Sequence, residues 1–353
     1  MQAIQSDGYS VYFSDESYEA LAMHLSEGKY SSVFVITDTN TNTLCLPIFL
    51  SAVATDAAIE IIEIDAGESM KTVSTCIEIW NTLLELGADR KSLIINLGGG
   101  VITDLGGFAA STFKRGIDFI NVPTTLLGMV DAAIGGKNGV DVGNLKNQVG
   151  TITPPQMVLI DTGYLETLPQ NEMRSGLAEM LKHGLIADKN HWEQFRDLSS
   201  IDFADFDSLI HDSINIKNQI VMQDPTENGI RKALNFGHTL GHAIESHFLN
   251  HKKPLLHGEA IAAGMIMESY ISLHKKLITS DEYSQIKASI KNIFENIIFG
   301  ENDVNSILEL LIHDKKNEYG NVRFALLDGI GKIRIVQIAE NDTIIKAFED
   351  YKS

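Results

Sequence analysis

Leu93-Ile94-Ile95-Asn96-Leu97-Gly98-Gly99-Gly100 decides the fold class. A short apolar run that breaks into three glycines reads as a buried strand entering a tight turn. The following Val101-Ile102-Thr103-Asp104-Leu105-Gly106-Gly107 opens a helix. Similar runs lie on either side: Val33-Phe34-Val35-Ile36-Thr37-Asp38, Ile59-Glu60-Ile61-Ile62-Glu63-Ile64, Ile117-Asp118-Phe119-Ile120-Asn121-Val122 and Met157-Val158-Leu159-Ile160-Asp161. Helical patterns fall between them, for example over 71–86. Strands that alternate with helices predict an α/β domain with a parallel sheet. Ligands of such sheets gather beyond the strand C-termini, where Asp38, the glycines and Thr124-Thr125 all stand.

The glycine turn suits a phosphate. Glycines let the backbone come close, and the first turn of a helix presents free N–H groups. The spacing is not the usual dinucleotide fingerprint, so a plain tight turn remains open on this segment alone. Gly67-Glu68-Ser69-Met70-Lys71 follows an earlier strand; Glu68 and Lys71 either hold ribose and phosphate oxygens or simply start a helix.

After Leu168-Pro169 the texture changes to long helical patterns, over 172–187, 203–223, 231–249, 257–277 and 280–299. Val322–Leu327 and Lys332–Val336, around Asp328-Gly329-Ile330-Gly331, read as a hairpin. The division expected is therefore an α/β domain over 1–165 and a mainly α-helical domain over 166–353.

That second part carries Leu234-Asn235-Phe236-Gly237-His238-Thr239-Leu240-Gly241-His242 and, further on, His257-Gly258-Glu259. Histidines four apart share one helix face. Ala178-Glu179-Met180-Leu181-Lys182 adds a carboxylate. Histidine plus carboxylate, with one position left to substrate or water, is what a catalytic divalent metal needs, while a packed or solvent-facing pair at 238 and 242 stays open on this segment alone. Gly237, Gly241 and Gly258 each cost a helix about 1 kcal/mol relative to alanine, and close approach to metal or substrate is one reason to keep them. His24, His183, His191, His211, His247, His251, His274 and His313 lack such a setting.

Formal charge is −19, from 28 Lys+Arg against 47 Asp+Glu. That argues against nucleic acid or an anionic membrane as partner. An anionic small molecule needs a local basic pocket instead. Candidates are Lys137 between glycines, Lys146-Asn147, Arg115, Lys182, Lys217, Arg231 and Lys315-Lys316. The two cysteines, Cys45 and Cys76, form no paired motif and read as inert thiols in a reducing compartment. With no secretion signal and no apolar stretch that spans a bilayer, the location expected is the cytoplasm.

The whole pattern resembles 3-dehydroquinate synthase, a family of the sugar-phosphate cyclase superfamily that serves the shikimate pathway and aromatic amino-acid biosynthesis. The resemblance runs from about Asp38 to Arg323 and is strongest over 98–107, 123–139, 175–184, 231–245 and 257–259. It implies a carbon–oxygen lyase that works as a homodimer with NAD and a divalent metal, zinc or also cobalt. Metal ligands would be Glu179, His238 and His257, with His242 facing the substrate. Asp131, Lys137, Asn147, Lys182, Lys217, Arg231 and Asn235 match the substrate pocket. Arg115 matches an arginine that reaches the partner's site, and one of Lys315 and Lys316 a pocket lysine. For NAD the matches are Asp38, Glu68, Lys71, Gly99, Gly100, Asp104, Thr124, Thr125, Lys146 and Thr167. Asn171-Glu172 departs from a common Arg-Glu, away from any residue assigned to chemistry.

The implied substrate is 3-deoxy-D-arabino-heptulosonate 7-phosphate, converted to 3-dehydroquinate and phosphate by transient oxidation, elimination, reduction and aldol closure. Two rivals share the superfamily: a metal-dependent polyol dehydrogenase and a cyclase acting on other sugar phosphates. A polyol dehydrogenase does not need so many anion-binding residues. The alternative cyclase substrates lack a carboxylate, against which Arg231 and Lys217 argue. A non-catalytic binding or assembly subunit has no use for an intact metal set.

Overall fold

A computed structural model describes residues 1–27, 30–143, 145–195, 203–249, 251, 253–313 and 322–353. The chain divides into two compact units, residues 1–173 and 174–353.

The first unit is built on a seven-stranded sheet. Its elements, in chain order, are β1 (Ile4–Gln5), β2 (Ser10–Phe13), α1 (Asp15–Ser26), β3 (Val33–Asp38), α2 (Thr39–Leu44), α3 (Leu46–Ala52), β4 (Ile59–Ile64), α4 (Val73–Glu85), β5 (Leu93–Gly98), α5 (Gly100–Thr112), β6 (Asp118–Pro123), β7 (Lys137–Val142), β8 (Leu145–Ile152) and β9 (Met157–Ile160). The sheet order is β1-β2-β9-β6-β5-β3-β4, and all neighbours run parallel except β1 and β2. All of β5 and the first five residues of β3 are buried, as strands covered on both faces must be. From α4 come Cys76, Ile79 and Leu83, and from α5 Ile102, Leu105 and Ala109; they close the core over Phe34, Ile36, Ile94 and Phe119. Burying each large aliphatic side chain contributes about 1.5–3 kcal/mol.

The order also fixes where a ligand can sit. The chain leaves β3 for β4 on one side and returns to β5 on the other. That reversal is a topological switch point, and ligands of such sheets bind at the C-terminal ends of the strands beside it, here β3 and β5. Asp38 and Gly98-Gly99-Gly100 are the residues there. The hairpin β7–β8 and the edge pair β1–β2 have no counterpart in the sequence expectation.

The second unit holds α6 (Gln170–Ala187), α7 (Lys189–Gln194), α8 (Phe203–Gln223), α9 (His238–Phe248), α10 (His257–His274), α11 (Ser280–Ile293), α12 (Glu301–His313), the antiparallel pair β10 (Arg323–Leu327) and β11 (Ile333–Ile338), and α13 (Asn341–Lys352). Most of α10 is buried all round, from Gly258 to Ser272 apart from Tyr270 and the half-buried Glu259. A helix apolar on every side belongs at the centre of a bundle. α9, α11, α13 and β10 pack on it. No helix among the described residues is long and apolar enough to cross a membrane.

One expected helix is two elements. Residues 231–249 break into a 3-10 turn over Ile230–Asn235, a left-handed Gly237 at φ 78° and then α9. The expected helix over 280–299 stops at Ile293, and α12 and α13 were not anticipated.

Candidate metal and nucleotide sites

Glu179, His238 and His257 come from three helices, α6, α9 and α10, and their ligand atoms lie within 4.8 Å of one another. The Glu179 Oε1 atom is 3.4 Å from His238 Nε2 and 3.6 Å from His257 Nε2. Two donors each bound at about 2.0–2.1 Å and at a tetrahedral angle sit about 3.3–3.4 Å apart, so this carboxylate and these imidazoles fit one small divalent cation.

The far side of each ring is also engaged. His238 Nδ1–H donates to the Phe236 carbonyl at 3.1 Å. His257 Nδ1 faces Glu245 Oε2 at 3.4 Å. An oxygen behind Nδ1 fixes the tautomer that leaves Nε2 as the donor atom. Burial alone pushes the His257 imidazolium down, but the charge of Glu245 and the contacts with Glu179 and Glu245 outweigh it and raise its pKa to about 9.

Local sequence explains the aim of the rings. On α9 the residues 238, 242 and 245 share one stripe. The His242 ring centroid lies 5.0 Å from that of His238 and 5.8 Å from that of His257, so it stands beside the ligand set. His242, Glu245 and His257 form a second grouping of donors within the same limit. The two groupings use opposite nitrogens of His257: Nε2 faces Glu179 and Nδ1 faces Glu245. Lys182 pairs with the other Glu179 oxygen, one helical turn on. Glu259 accepts from the Leu256 N–H at 2.9 Å and so caps the N-terminus of α10.

Packing gives the glycines a reason of their own. A Cβ on Gly241 would stand 2.7 Å from Ile261 Cδ1, on Gly264 2.0 Å from the Gly237 carbonyl, and on Gly258 2.3 Å from Ser175 Cα. They let the chain segments approach one another closely.

Nearby, Arg231 is buried; its guanidinium donates to the Pro225 carbonyl at 2.7 Å and its N–H to Asp224 at 3.0 Å. Asn235 donates to Glu227 at 2.6 Å. Lys217 is buried on α8, which packs against the turn that carries Arg231 and Asn235. Glu227, Glu245 and Glu268 carry no signal in the sequence, since nothing local marks a carboxylate whose partner is eight to 31 residues away. Lys315 and Lys316 lie outside the described residues.

In the first unit the nucleotide candidates gather in two places. At the strand ends, Thr124 N–H donates to the Gly98 carbonyl at 3.0 Å, and a Cβ on Gly99 would stand 2.9 Å from Thr125. Gly100 begins α5, whose first N–H groups have no partner within the helix. Asp38 caps α2, accepting from Asn40 and Thr41 at 2.9 and 2.8 Å. Beside the hairpin β7–β8, Lys71 Nζ donates to Asp104 at 2.6 Å and to Asn147 at 2.8 Å. Lys146 pairs with Glu68 at 2.9 Å. Burial pushes the Lys71 ammonium down, yet Asp104 and Glu68 hold it above the usual lysine value. Thr167 donates to the Tyr164 carbonyl at 2.7 Å. Asp131 is half-buried in the turn over Gly128–Ala132, while Lys137 and Arg115 are exposed, Arg115 at φ 73°. Cys45 and Cys76 are free, and burial raises both thiols, Cys76 to about 12.

Residues 61–175 match the family model for the 3-dehydroquinate synthase N-terminal region, and residues 176–317 match that for its C-terminal region. The chain belongs to the 3-dehydroquinate synthase family. A 3-dehydroquinate synthase from Parabacteroides distasonis is 43% identical over 330 residues, 93% of each chain. One from Helicobacter pylori is 38% identical over 96% of this chain and 97% of its own. Among solved structures, 2-deoxy-scyllo-inosose synthase complexed with carbaglucose-6-phosphate, NAD+ and Co2+ superposes with a TM-score of 0.87, 26% identity and 99% coverage of both chains.

Proposed function

We propose that the chain is a carbon–oxygen lyase that converts 3-deoxy-D-arabino-heptulosonate 7-phosphate to 3-dehydroquinate and phosphate. The observation that carries this reading is the placement of Glu179 Oε1 3.4 and 3.6 Å from two Nε2 atoms, in a chain matched by the family over 61–317. Glu179, His238 and His257 hold the divalent cation, zinc or cobalt. NAD is held by Gly99, Gly100, Thr124 and Thr125 at the strand ends, by Asp38 and Thr167, and by Glu68, Lys71, Asp104 and Lys146. When bound, the dinucleotide supplies a reversible hydride acceptor and the cation a Lewis acid.

The chain's own residues bind, orient and move protons. Arg231 and Lys217 take the substrate carboxylate; a guanidinium suits it through paired donors, and the Pro225 carbonyl fixes its plane. Lys182 holds the Glu179 carboxylate in place through a charged hydrogen bond. His242, beside the ligand histidines, serves as the group that passes a proton to or from the substrate. Asp131, Lys137, Asn147 and Asn235 are assigned to the remaining substrate oxygens, and one of Lys315 and Lys316 joins them. We assign the working state to a cytoplasmic homodimer, in which Arg115 serves the partner's site.

Purified protein with NAD+, zinc and the heptulosonate phosphate should release inorganic phosphate without net NADH. NADH build-up on a simple polyol, with no phosphate released, would overturn the assignment.

A further inference from the structure

Both ligand histidines have a buried carboxylate behind them, and the two carboxylates are exchanged between helices. For His257, at the start of α10, the carboxylate is Glu245 of α9, whose Oε2 lies 3.4 Å from Nδ1. For His238, at the start of α9, it is Glu268 of α10, acting through one peptide group. His238 Nδ1–H donates to the Phe236 carbonyl at 3.1 Å. The N–H of that same peptide, on Gly237, donates to Glu268 Oε2 at 2.8 Å. The other Glu268 oxygen accepts from Leu240 N–H at 3.1 Å, which holds the first turn of α9 to α10.

Glu268 is fully buried and Glu245 is 4% exposed. Close packing of Gly237 against Gly264 brings the helices near enough for the exchange.

We propose that Glu245 and Glu268 are positioning residues for the metal site, Glu245 acting directly on His257 and Glu268 acting on His238 through the Phe236–Gly237 peptide. Each negative charge favours a proton on Nδ1 and strengthens Nε2 as a donor atom. A peptide is polarised when its N–H is bonded to a carboxylate, so its carbonyl becomes the better acceptor. Outer partners of this kind typically change metal affinity ten- to a hundredfold. The inference rests on the metal reading above.

The test measures zinc affinity of the full chain by competition with a fluorescent chelator, with circular dichroism and thermal unfolding of the metal-free protein as controls. Glu245→Ala and Glu268→Gln should each bind zinc about ten- to a hundredfold more weakly than wild type, with Glu245→Gln closer to wild type because its amide oxygen still accepts from Nδ1–H. The visible spectrum of the cobalt-loaded variants should shift, which loss of stability alone does not cause. Should Glu268→Gln not fold, ring 15N signals of the zinc-loaded wild type decide that arm. A proton on His238 Nδ1 supports the relay, and a bare Nδ1 overturns it. Affinities within twofold of wild type and an unchanged cobalt spectrum overturn the inference and leave the metal reading standing. A wild type that binds no zinc overturns both.

Discussion

The Phe236 carbonyl takes the Nδ1 proton of His238 at 3.1 Å, and that contact turns Nε2 toward Glu179 at 3.4 Å. The two residues are only two apart, so the chain must fold back on itself between them. Gly237 makes the bend, at φ 78°. A Cβ there would be strained and would stand 2.5 Å from Met265 Cγ. Gly237→Ala should therefore lose at least about 1–3 kcal/mol of stability and most of its bound zinc. Urea unfolding and metal content after dialysis check both. A variant as stable and as zinc-rich as wild type would show that the bend does not set the ring.

The bend also shows where the sequence was legible and where it was not. Buried runs such as Val33–Asp38 and Leu93–Gly98 declare themselves as strands, because both faces are covered and each opens on three or more consecutive apolar residues. The histidine spacing at 238 and 242 likewise puts two rings on one face. The break before His238 was missed, since Arg231–Leu249 keeps a helical apolar pattern across a turn that only Gly237 betrays. The hairpin β7–β8 was missed because β8 buries no residue fully and β7 buries a consecutive Asn138-Gly139-Val140, so neither strand alternates apolar and polar residues in the usual way. Partners such as Glu268 for Gly237, or Ser175 for Gly258, depend on which helices meet, and no local pattern records that.

Glu179 and Lys182 form a fully buried pair on one face of α6. Removing the carboxylate leaves an ammonium in the interior. Glu179→Ala is expected to lose about 3–5 kcal/mol of stability in addition to its metal, measured by chemical denaturation of metal-free protein. A loss below about 1 kcal/mol would mean that Lys182 finds another partner at little cost.

His191 is 2% exposed, and neither ring nitrogen has a hydrogen-bond partner among the described residues. Burial holds its pKa below the usual 6.5. In the window between the lowered native value and 6.5, the unfolded chain binds more protons than the native one. Stability from this residue is therefore complete above pH 6.5 and is lost as pH falls through that window. His191→Leu should flatten the decline of unfolding free energy between pH 7 and 5. An equal decline in both proteins would assign it to other groups.

Lys217 and Arg231 are both buried. Replacing either by alanine removes one charged hydrogen-bonded contact, worth about 1.5–3 kcal/mol. Steady-state kinetics should show kcat/KM for the heptulosonate phosphate down roughly ten- to a hundredfold, mostly in KM. Unchanged kinetics in both variants would remove the carboxylate assignment and reopen the choice among cyclase substrates.

The central claim is that one cation is shared by Glu179, His238 and His257. Crystals of zinc-loaded protein, measured on both sides of the zinc absorption edge, test it most directly. The account predicts a single anomalous peak per chain, about 2.0–2.2 Å from Glu179 Oε1 and from the Nε2 atoms of His238 and His257. A peak bound to other residues, or zinc-loaded active protein with no peak at these three, would contradict it.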